Sequence, residues 1–561
     1  MSYKNIQMKS LFNRHLFIGK TIALLLIVTL VFNLSNVHAQ EKDISWYTAN
    51  APFKMSTLTV PLFSNKVFSI KDYGAISDGQ TLNTTAFEKA ITACAAAGGG
   101  RVLVPEGLWL TGPIQLKSDV DLHLERGALV IFTKDHSQFP IIKASNGSTN
   151  YLPASPIYGY DLKNIAITGE GIFDGGGDSW RPVKKSKTTD AQWKQLIASG
   201  GVISKDGSIW WPSKEALDGE DIIKELKQRT VKSTANDYLP VRDFLRPNML
   251  YLVNCDNVLI DGVTLRNSPK FVFYPSHCTN LTIRYANIFN EWYAQNGDGI
   301  DISACENVVI YKCNVSVGDD GICMKSSSSK NDDEDGADLK NILIAACNVY
   351  HAHGGFVIGS NTDGGIKNIY VTDCNFAGTD VGIRVKSNYG RGGLVKDIYI
   401  CNIFMRDIAN EAILFDTYYE DMPAGKIKSD GQPQVHEKTP EFRDFHISNI
   451  NCNGAATAIS ITGLPEMPVN RIFFDHIVIS SDKGLVAKDA ANLDLKTVKL
   501  ITTSTDPIYS LSGVKNLQLN EGYFPENSKV FVKADDKTTG VKISSTDLRN
   551  VKDALQLSAN N

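Results

Sequence analysis

Between Cys255 and Ile479 the chain repeats one short phrase: a polar residue followed by alternating apolar and polar ones. The copies read CDNVLIDGVTL, CTNLTIRYANIF, CENVVIYKCNVSV, LKNILIAACNVYH, IKNIYVTDCNF, VKDIYICNI, FRDFHISNINC and VNRIFFDHIVI. Their polar key positions are Asn257, Asn280, Asn307, Asn341, Asn368, Asp397, Asp444 and Arg471, so the first five steps are 23, 27, 34, 27 and 29 residues. Self-similarity at this period means a solenoid, a propeller or an array. Short β-branched alternating segments exclude helical repeats. A propeller blade needs about 40 residues, and the leucine pattern of a leucine-rich repeat is absent. What remains is an all-β solenoid, a parallel β-helix with one coil per repeat and insertions bulging from its turns. The 561 residues, far beyond an ordinary domain of at most about 250, suit such an elongated stack.

Two ladders follow from stacking the copies. Seven residues after the key position stand Asn287, Asn314, Asn348, Asn375 and Asn451. Asparagine tolerates a left-handed turn, and amides stacked at about 4.8 Å hydrogen-bond along the stack. Cys313, Cys347 and Cys374 precede three of these asparagines. They read as small apolar core fillers rather than as disulfide partners, with pairing as the alternative in an oxidising compartment.

A solenoid needs its open end covered. The helix-forming, amphipathic run from Thr84 to Ala97, closed by Gly98-Gly99-Gly100, is the expected N-terminal cap. The parallel β-helix is expected over 65–535, after an N-terminal extension at 40–64 and before a polar C-terminal tail at 536–561. Residues from about 180 to 244 break the pattern. They carry Trp180, Trp193, Trp210 and Trp211, which read either as the core of a packed excursion or as a wall for stacking sugars. Lys4, Lys9, Arg14 and Lys20 precede an apolar run from Thr21 to Phe32, and Val37-His38-Ala39 follows. This is the pattern of a signal peptide over 1–39, short for a membrane span, with an uncleaved N-terminal anchor as the alternative, and it predicts an exported protein, periplasmic or secreted, with no membrane association once the signal is removed. A net charge of −4 and the lack of any long basic run predict no nucleic-acid partner. Oligomeric state is not encoded in any pattern of this kind.

The stretch NGDGIDISACENVVIYKCNVSVGDDGICMKS carries the chemistry. Asp298-Gly299-Ile300 and Asp320-Gly321-Ile322 each open an alternation, 22 residues apart. In a β-helix that offset places Asp298 and Asp320 on adjacent coils, about 4.8 Å apart, with Asp319 on the same turn. His353 precedes the next strand, and Arg384 and Lys386, two apart on VGIRVKS, point to the solvent side of the following one. Crowded carboxylates separate their pKa values, so one holds a proton while another stays ionised. Glycoside hydrolysis uses such a pair, and coil spacing alone leaves the inverting and retaining geometries both open. Guanidinium and ammonium beside the acids suit an anionic substrate. Taken singly, an Asp-Asp turn or a lone histidine is ordinary surface; strand starts on consecutive coils make them a set.

The order NGD…GDD…HGG…RVK resembles the pectin-degrading polygalacturonases of glycoside hydrolase family 28. The likeness extends to DYGA…DG, VPEG and TGPI near the N-terminus and to RPNML and RNSPKF, covering roughly residues 65–480. It implies a right-handed parallel β-helix and inverting hydrolysis without a metal or other cofactor. It implies Asp319 as general acid, Asp298 and Asp320 as the carboxylates that activate water, and His353 as the group that tunes the acid. Asn296, Arg384 and Lys386 would bind substrate, the last two by gripping a galacturonate carboxylate. A family tyrosine on the next coil falls at Tyr418 or Tyr419, with Tyr419 preferred. Gly297, Ala352 and Val385 depart from the family pattern without removing a catalytic group.

The expected function is therefore exo-acting hydrolysis of galacturonan in pectic poly- or oligosaccharides. Rhamnogalacturonan and other branched pectin fragments are the alternative substrates. A calcium-dependent pectate lyase on the same fold and a non-catalytic polysaccharide binder are the rival activities. The insertion SSSSKNDDEDGADLK, Ser326 to Lys340, reads as a solvated loop, with an electrostatic gate or a calcium site as the alternatives, the latter fitting the lyase reading.

Overall fold

The computed structural model describes every residue except 1–41, 57–58, 146–147, 149, 231, 328–336, 420–434, 436–437, 527 and 559–561. The expected signal peptide and most of the Ser326–Lys340 insertion lie outside the described residues. Residues up to Asn50 form one unit, whose described part is the helix Ile44–Ala49, capped by Asp43 accepting the Trp46 N–H at 2.8 Å. Residues from Ala51 onward form the second unit, described below. No helix among the described residues is long and apolar enough to cross a membrane.

The second unit is a right-handed parallel β-helix, the hand favoured when parallel strands are joined by crossovers. Its functional face is a 14-stranded parallel sheet running from Ile114–Gln115 to Asp553–Ser558. Five consecutive strands matter here: β1 (Ile300–Ser303), β2 (Asp320–Ser326), β3 (Gly354–Thr362), β4 (Val381–Lys386) and β5 (Glu411–Asp416). Ile300 pairs with Ile322, then Phe356, Ile383 and Ile413, so one inward column is built of buried aliphatic and aromatic side chains. Burying each such side chain stabilises the stack by about 1.5–3 kcal/mol before entropy is counted. The residues between them form the outward columns that carry the site.

The key positions of the repeat are the corners. Asn257, Asn280, Asn307, Asn341 and Asn368 all have φ between +55° and +59°, and Asp397, Asp444 and Arg471 share the left-handed conformation. The expectation had placed this conformation at the later asparagines. Those instead extend as strand and form the amide ladder: Asn314 donates to Asn287 and Asn348 to Asn314, each at 3.0 Å, and Asn375 to Asn348 at 2.9 Å. The ladder ends there because the register sets Phe404 beside Asn375 and between it and Asn451. A second ladder runs through the corners, from Asn368 to Asn341 at 3.1 Å and from Asn341 to Asn307 at 3.2 Å.

All ten cysteine thiols are unpaired and nine are buried, which fits the reading as core fillers. Cys255, Cys278 and Cys305 form a further column; the Cys278 N–H donates to the Cys305 sulfur at 3.3 Å. The capping helix spans Thr84–Ala96 and buries Phe87, Ala90, Ile91 and Cys94 against the first coils.

The excursion at 180–244 folds as short helices and a small antiparallel sheet. Its own core is Val183, Trp193 and Trp210, and Trp180 is fully buried against His136, ring centroids 3.5 Å apart. These three tryptophans are packing residues, not a sugar-stacking wall. The C-terminal tail also departs from expectation: Lys542–Ser544 and Asp553–Ser558 pair with the preceding coils. A last coil is covered on one side only, so it keeps strand alternation while its composition stays polar.

Candidate active site

Each outward column is set by the pleat. On β1 and β2 the inward Ile300, Ile302, Ile322 and Met324 alternate with Asp301, Cys323 and Lys325, and on β4 Ile383 and Val385 alternate with Arg384 and Lys386. The turns entering β1 and β2 carry Asp298 and Asp319, and Asp320 opens β2. Oxygens from these three carboxylates lie within 4.8 Å of one another, as the 22-residue offset predicts. The loop from Asn290 to Asn296 leans on the turn before Asp319. A Cβ on Gly318 would stand 2.5 Å from the Glu291 carbonyl oxygen, and one on Gly297 would stand 2.8 Å from the Ala294 Cβ. Glycine at 297, where the family pattern has threonine, is thus matched by close packing of Ala294 and Asn290.

The three carboxylates have different surroundings. Asp320 is 2% exposed; Lys386 Nζ donates to its Oδ2 at 2.8 Å and Arg384 Nη1 to its Oδ1 at 3.2 Å. Burial by itself would raise this carboxyl, but the charges of Lys386, Arg384 and Lys325 outweigh it and hold Asp320 below the usual carboxylate range. Asp298 is 4% exposed, and Lys325 Nζ donates to its Oδ2 at 3.2 Å. Burial, and after it the neighbouring Asp301, push its carboxyl well above the usual value against the pull of Lys325. Asp319 is the most exposed of the three. Its Oδ1 accepts the Asp320 N–H at 3.0 Å and lies 3.2 Å from His353 Nδ1. The other ring nitrogen of His353 stands 3.7 Å from Asp380.

Arg384 and Lys386 leave the core as alternation requires, yet Lys386 is 4% exposed. The solvent-facing placement expected for it is corrected by its bond to Asp320 and by the Tyr419 ring, whose centroid is 4.6 Å from Lys386 Nζ and 5.5 Å from Arg384 Cζ. Of the two candidate tyrosines, Tyr419 is therefore the one at the site. Asn296 is exposed, and its Oδ1 accepts from Arg246 Nη2 at 2.9 Å.

The structure adds Asp301, Lys325, Asp380 and Arg246 to the residues singled out from the sequence. Lys325 ion-pairs with the fully buried Asp301 as well as with Asp298. Both were detectable: Asp301 occupies in GIDIS the place of Arg384 in GIRVKS, and Lys325 in GICMKS the place of Lys386. Arg246 and Asp380 sit in turns, where no periodicity marks them.

The Asp298, Asp319 and Asp320 oxygens are close enough to share a cation. Two of those carboxylates are already neutralised by Lys325, Lys386 and Arg384, which weakens the site for a divalent ion. The arrangement instead suits proton transfer: one carboxylate fixed as an anion, one displaced toward protonation, and one accessible to ligand beside an imidazole.

Residues 192–493, more than half of the chain, match the sequence model of glycosyl hydrolases family 28. A probable polygalacturonase of Vitis vinifera is 28% identical over 428 residues, which are 73% of this chain and 74% of that protein. An exo-poly-alpha-D-galacturonosidase of Dickeya chrysanthemi is 29% identical over 425 residues, 73% of this chain and 65% of that one. Among solved structures, a hyperthermoactive exopolygalacturonase from Thermotoga maritima superposes with a TM-score of 0.61 at 26% identity, covering 79% of this chain and 93% of its own. With these matches lying over the β-helix and its carboxylate row, the chain belongs to family 28 of the glycosyl hydrolases.

Proposed function

We propose that this glycosidase is an exported exo-polygalacturonase, hydrolysing α-galacturonosidic bonds at the end of pectic chains. The observation that carries the reading is the carboxylate trio flanked on one side by Arg384 and Lys386, acid–base groups beside cations suited to an anionic sugar. Exo action is supported by the names of the Dickeya and Thermotoga relatives. It also fits the excursion at 180–244, just after which Arg246 ties the chain to the loop preceding Asp298. Export follows from the signal pattern in residues 1–39.

In this reading Asp319, open to the cleft and beside His353, donates its proton to the glycosidic oxygen. Asp320, held anionic by Lys386 and Arg384, orients the attacking water together with Asp298, which must first give up the proton that burial favours before it can deprotonate that water. Arg384, relieved of part of its bond to Asp320, grips the substrate carboxylate with Lys386 and Tyr419 beside it, and Asn296 contacts the sugar from the opposite loop. Inversion at the anomeric carbon is the expected outcome.

The test uses purified Gln40–Asn561 with polygalacturonate and oligogalacturonides, with and without a chelator. Saturated monogalacturonate formed without calcium supports the exo-hydrolase, and proton NMR of the first product reads its anomeric configuration. A ladder of oligomers means endo action. Unsaturated, calcium-dependent product means a lyase, and turnover only on rhamnogalacturonan fragments moves the substrate assignment to branched pectin.

A further inference from the structure

Among the described residues, the cations near the carboxylates other than Lys270 make ion pairs or hydrogen bonds. Lys325 is engaged by Asp298 and Asp301, and Lys386 and Arg384 by Asp320. Arg246 is spent on the Gln295 carbonyl, at 2.9 Å, and on Asn296. Among the described residues the Lys270 ammonium makes no ion pair and no hydrogen bond, although the Asp298 and Asp301 carboxylates are near enough to favour its charge. It stands 5.3 Å from the centroid of Phe271, the same ring that carries the Lys325 ammonium at 5.0 Å.

Its place in the stack gives this vacancy a meaning. Phe273 pairs with Ile300, and the Val272 N–H donates to the Asp298 carbonyl at 2.8 Å. Lys270 therefore belongs to the coil just before Asp298. Arg384 belongs to the strand three beyond β1 on the other side. Asp298, Asp319 and Asp320 lie between the two. A chain of galacturonate units laid across the carboxylates presents one anionic group on each side of the bond to be cut. Resting on the galacturonan reading above, we infer that Lys270 binds the carboxylate of the sugar on the Asp298 side of the cleaved bond and so selects for a free acid there. Burial, and then the charge of Arg246, pull the Lys270 ammonium down to about 8. Asp298 and Asp301 oppose that pull, the side chain is only partly buried, and the ammonium is charged through the acidic and neutral range, ready to meet an arriving carboxylate.

The test compares trigalacturonate with the same trimer methyl-esterified at its non-reducing residue. Wild type should prefer the free acid by about tenfold or more in kcat/KM, the size of one charged hydrogen bond. Lys270→Met should lower kcat/KM on the free acid by about tenfold, chiefly through KM, and change the ester rate less than about twofold. Lys270→Arg should keep the preference. If Lys270→Met depresses both substrates equally or neither, the inference is overturned, because a purely structural role moves both together. Wild-type inactivity on every galacturonide would instead overturn the substrate reading beneath it.

Discussion

Lys386 Nζ lies 2.8 Å from Asp320 Oδ2, and both side chains are almost wholly withdrawn from water, at 5% and 3% exposure. Removing one member leaves the other charge buried and only partly compensated. Lys386→Met should cost about 3 kcal/mol of stability, read from urea unfolding at pH 7. Because Asp320 is held below its unfolded value of 3.8, its contribution is complete above pH 3.8 and fades as the pH falls toward its folded value. The variant should therefore lose less stability than wild type over that acidic interval.

Asp298 is shifted the other way. Its folded-state carboxyl is raised by burial, so the stability it contributes is present below pH 3.8 and is lost as the pH climbs through the folded value. Asp298→Asn should raise the melting temperature at pH 7, by about 1 kcal/mol in free energy, while abolishing turnover. The acidic limb of the wild-type kcat/KM profile should lie above the ordinary carboxylate range, since Asp298 must ionise before water is activated. A limb at or below that range contradicts this role.

Asp319→Asn should lower kcat on digalacturonate by about 10²–10⁴-fold with little change in the unfolding midpoint. An aryl galacturonide, whose leaving group needs no proton, should recover most of that loss. Asp298→Asn should show no such recovery. The reverse pattern would exchange the two roles, which is chemically open because Asp298 is the carboxyl displaced toward protonation.

Asn307, at φ +57°, occupies a corner and accepts from Asn341 while donating to Asn280 at 3.4 Å. Asn307→Ala must place a Cβ in a left-handed conformation without a compensating polar side chain. It should destabilise by about 1 kcal/mol more than Asn307→Gly, measured by chemical denaturation. Equal costs would mean that the amide ladder, not the backbone, dominates.

Much of the fold was legible because it is periodic. Alternation from Val258 onward fixes which side chains enter the core, and the 22-residue offset of Asp298 and Asp320 appears in the structure as the pairing of Ile300 with Ile322. The capping helix was marked by its amphipathic face and its glycines. Periodicity was silent where the chain leaves the stack: nothing in Trp193 or Trp210 distinguishes packing from ligand contact until a partner surface is known. The left-handed corners were assigned to the wrong asparagines because both sets recur with the same period, and only the path of the backbone separates them. At the site, types and order pointed to the carboxylates and cations, but the pairing of Lys386 with Asp320 depends on a fold of the side chain that no spacing records.

The chain leaves the functional sheet after Tyr160 and does not return to it until Leu250, yet Ile157 and Leu250 are register partners, just as if they followed one another directly. Length can thus be added at a corner without changing the phase of the coils above and below it. The catalytic row behaves as a ruler whose graduations are fixed by backbone pairing, while the walls of the cleft are free to be rewritten. Two proteins of this architecture can therefore share one chemistry and differ entirely in which chain end or branch they admit, because reach and reactivity are written in separate parts of the polypeptide.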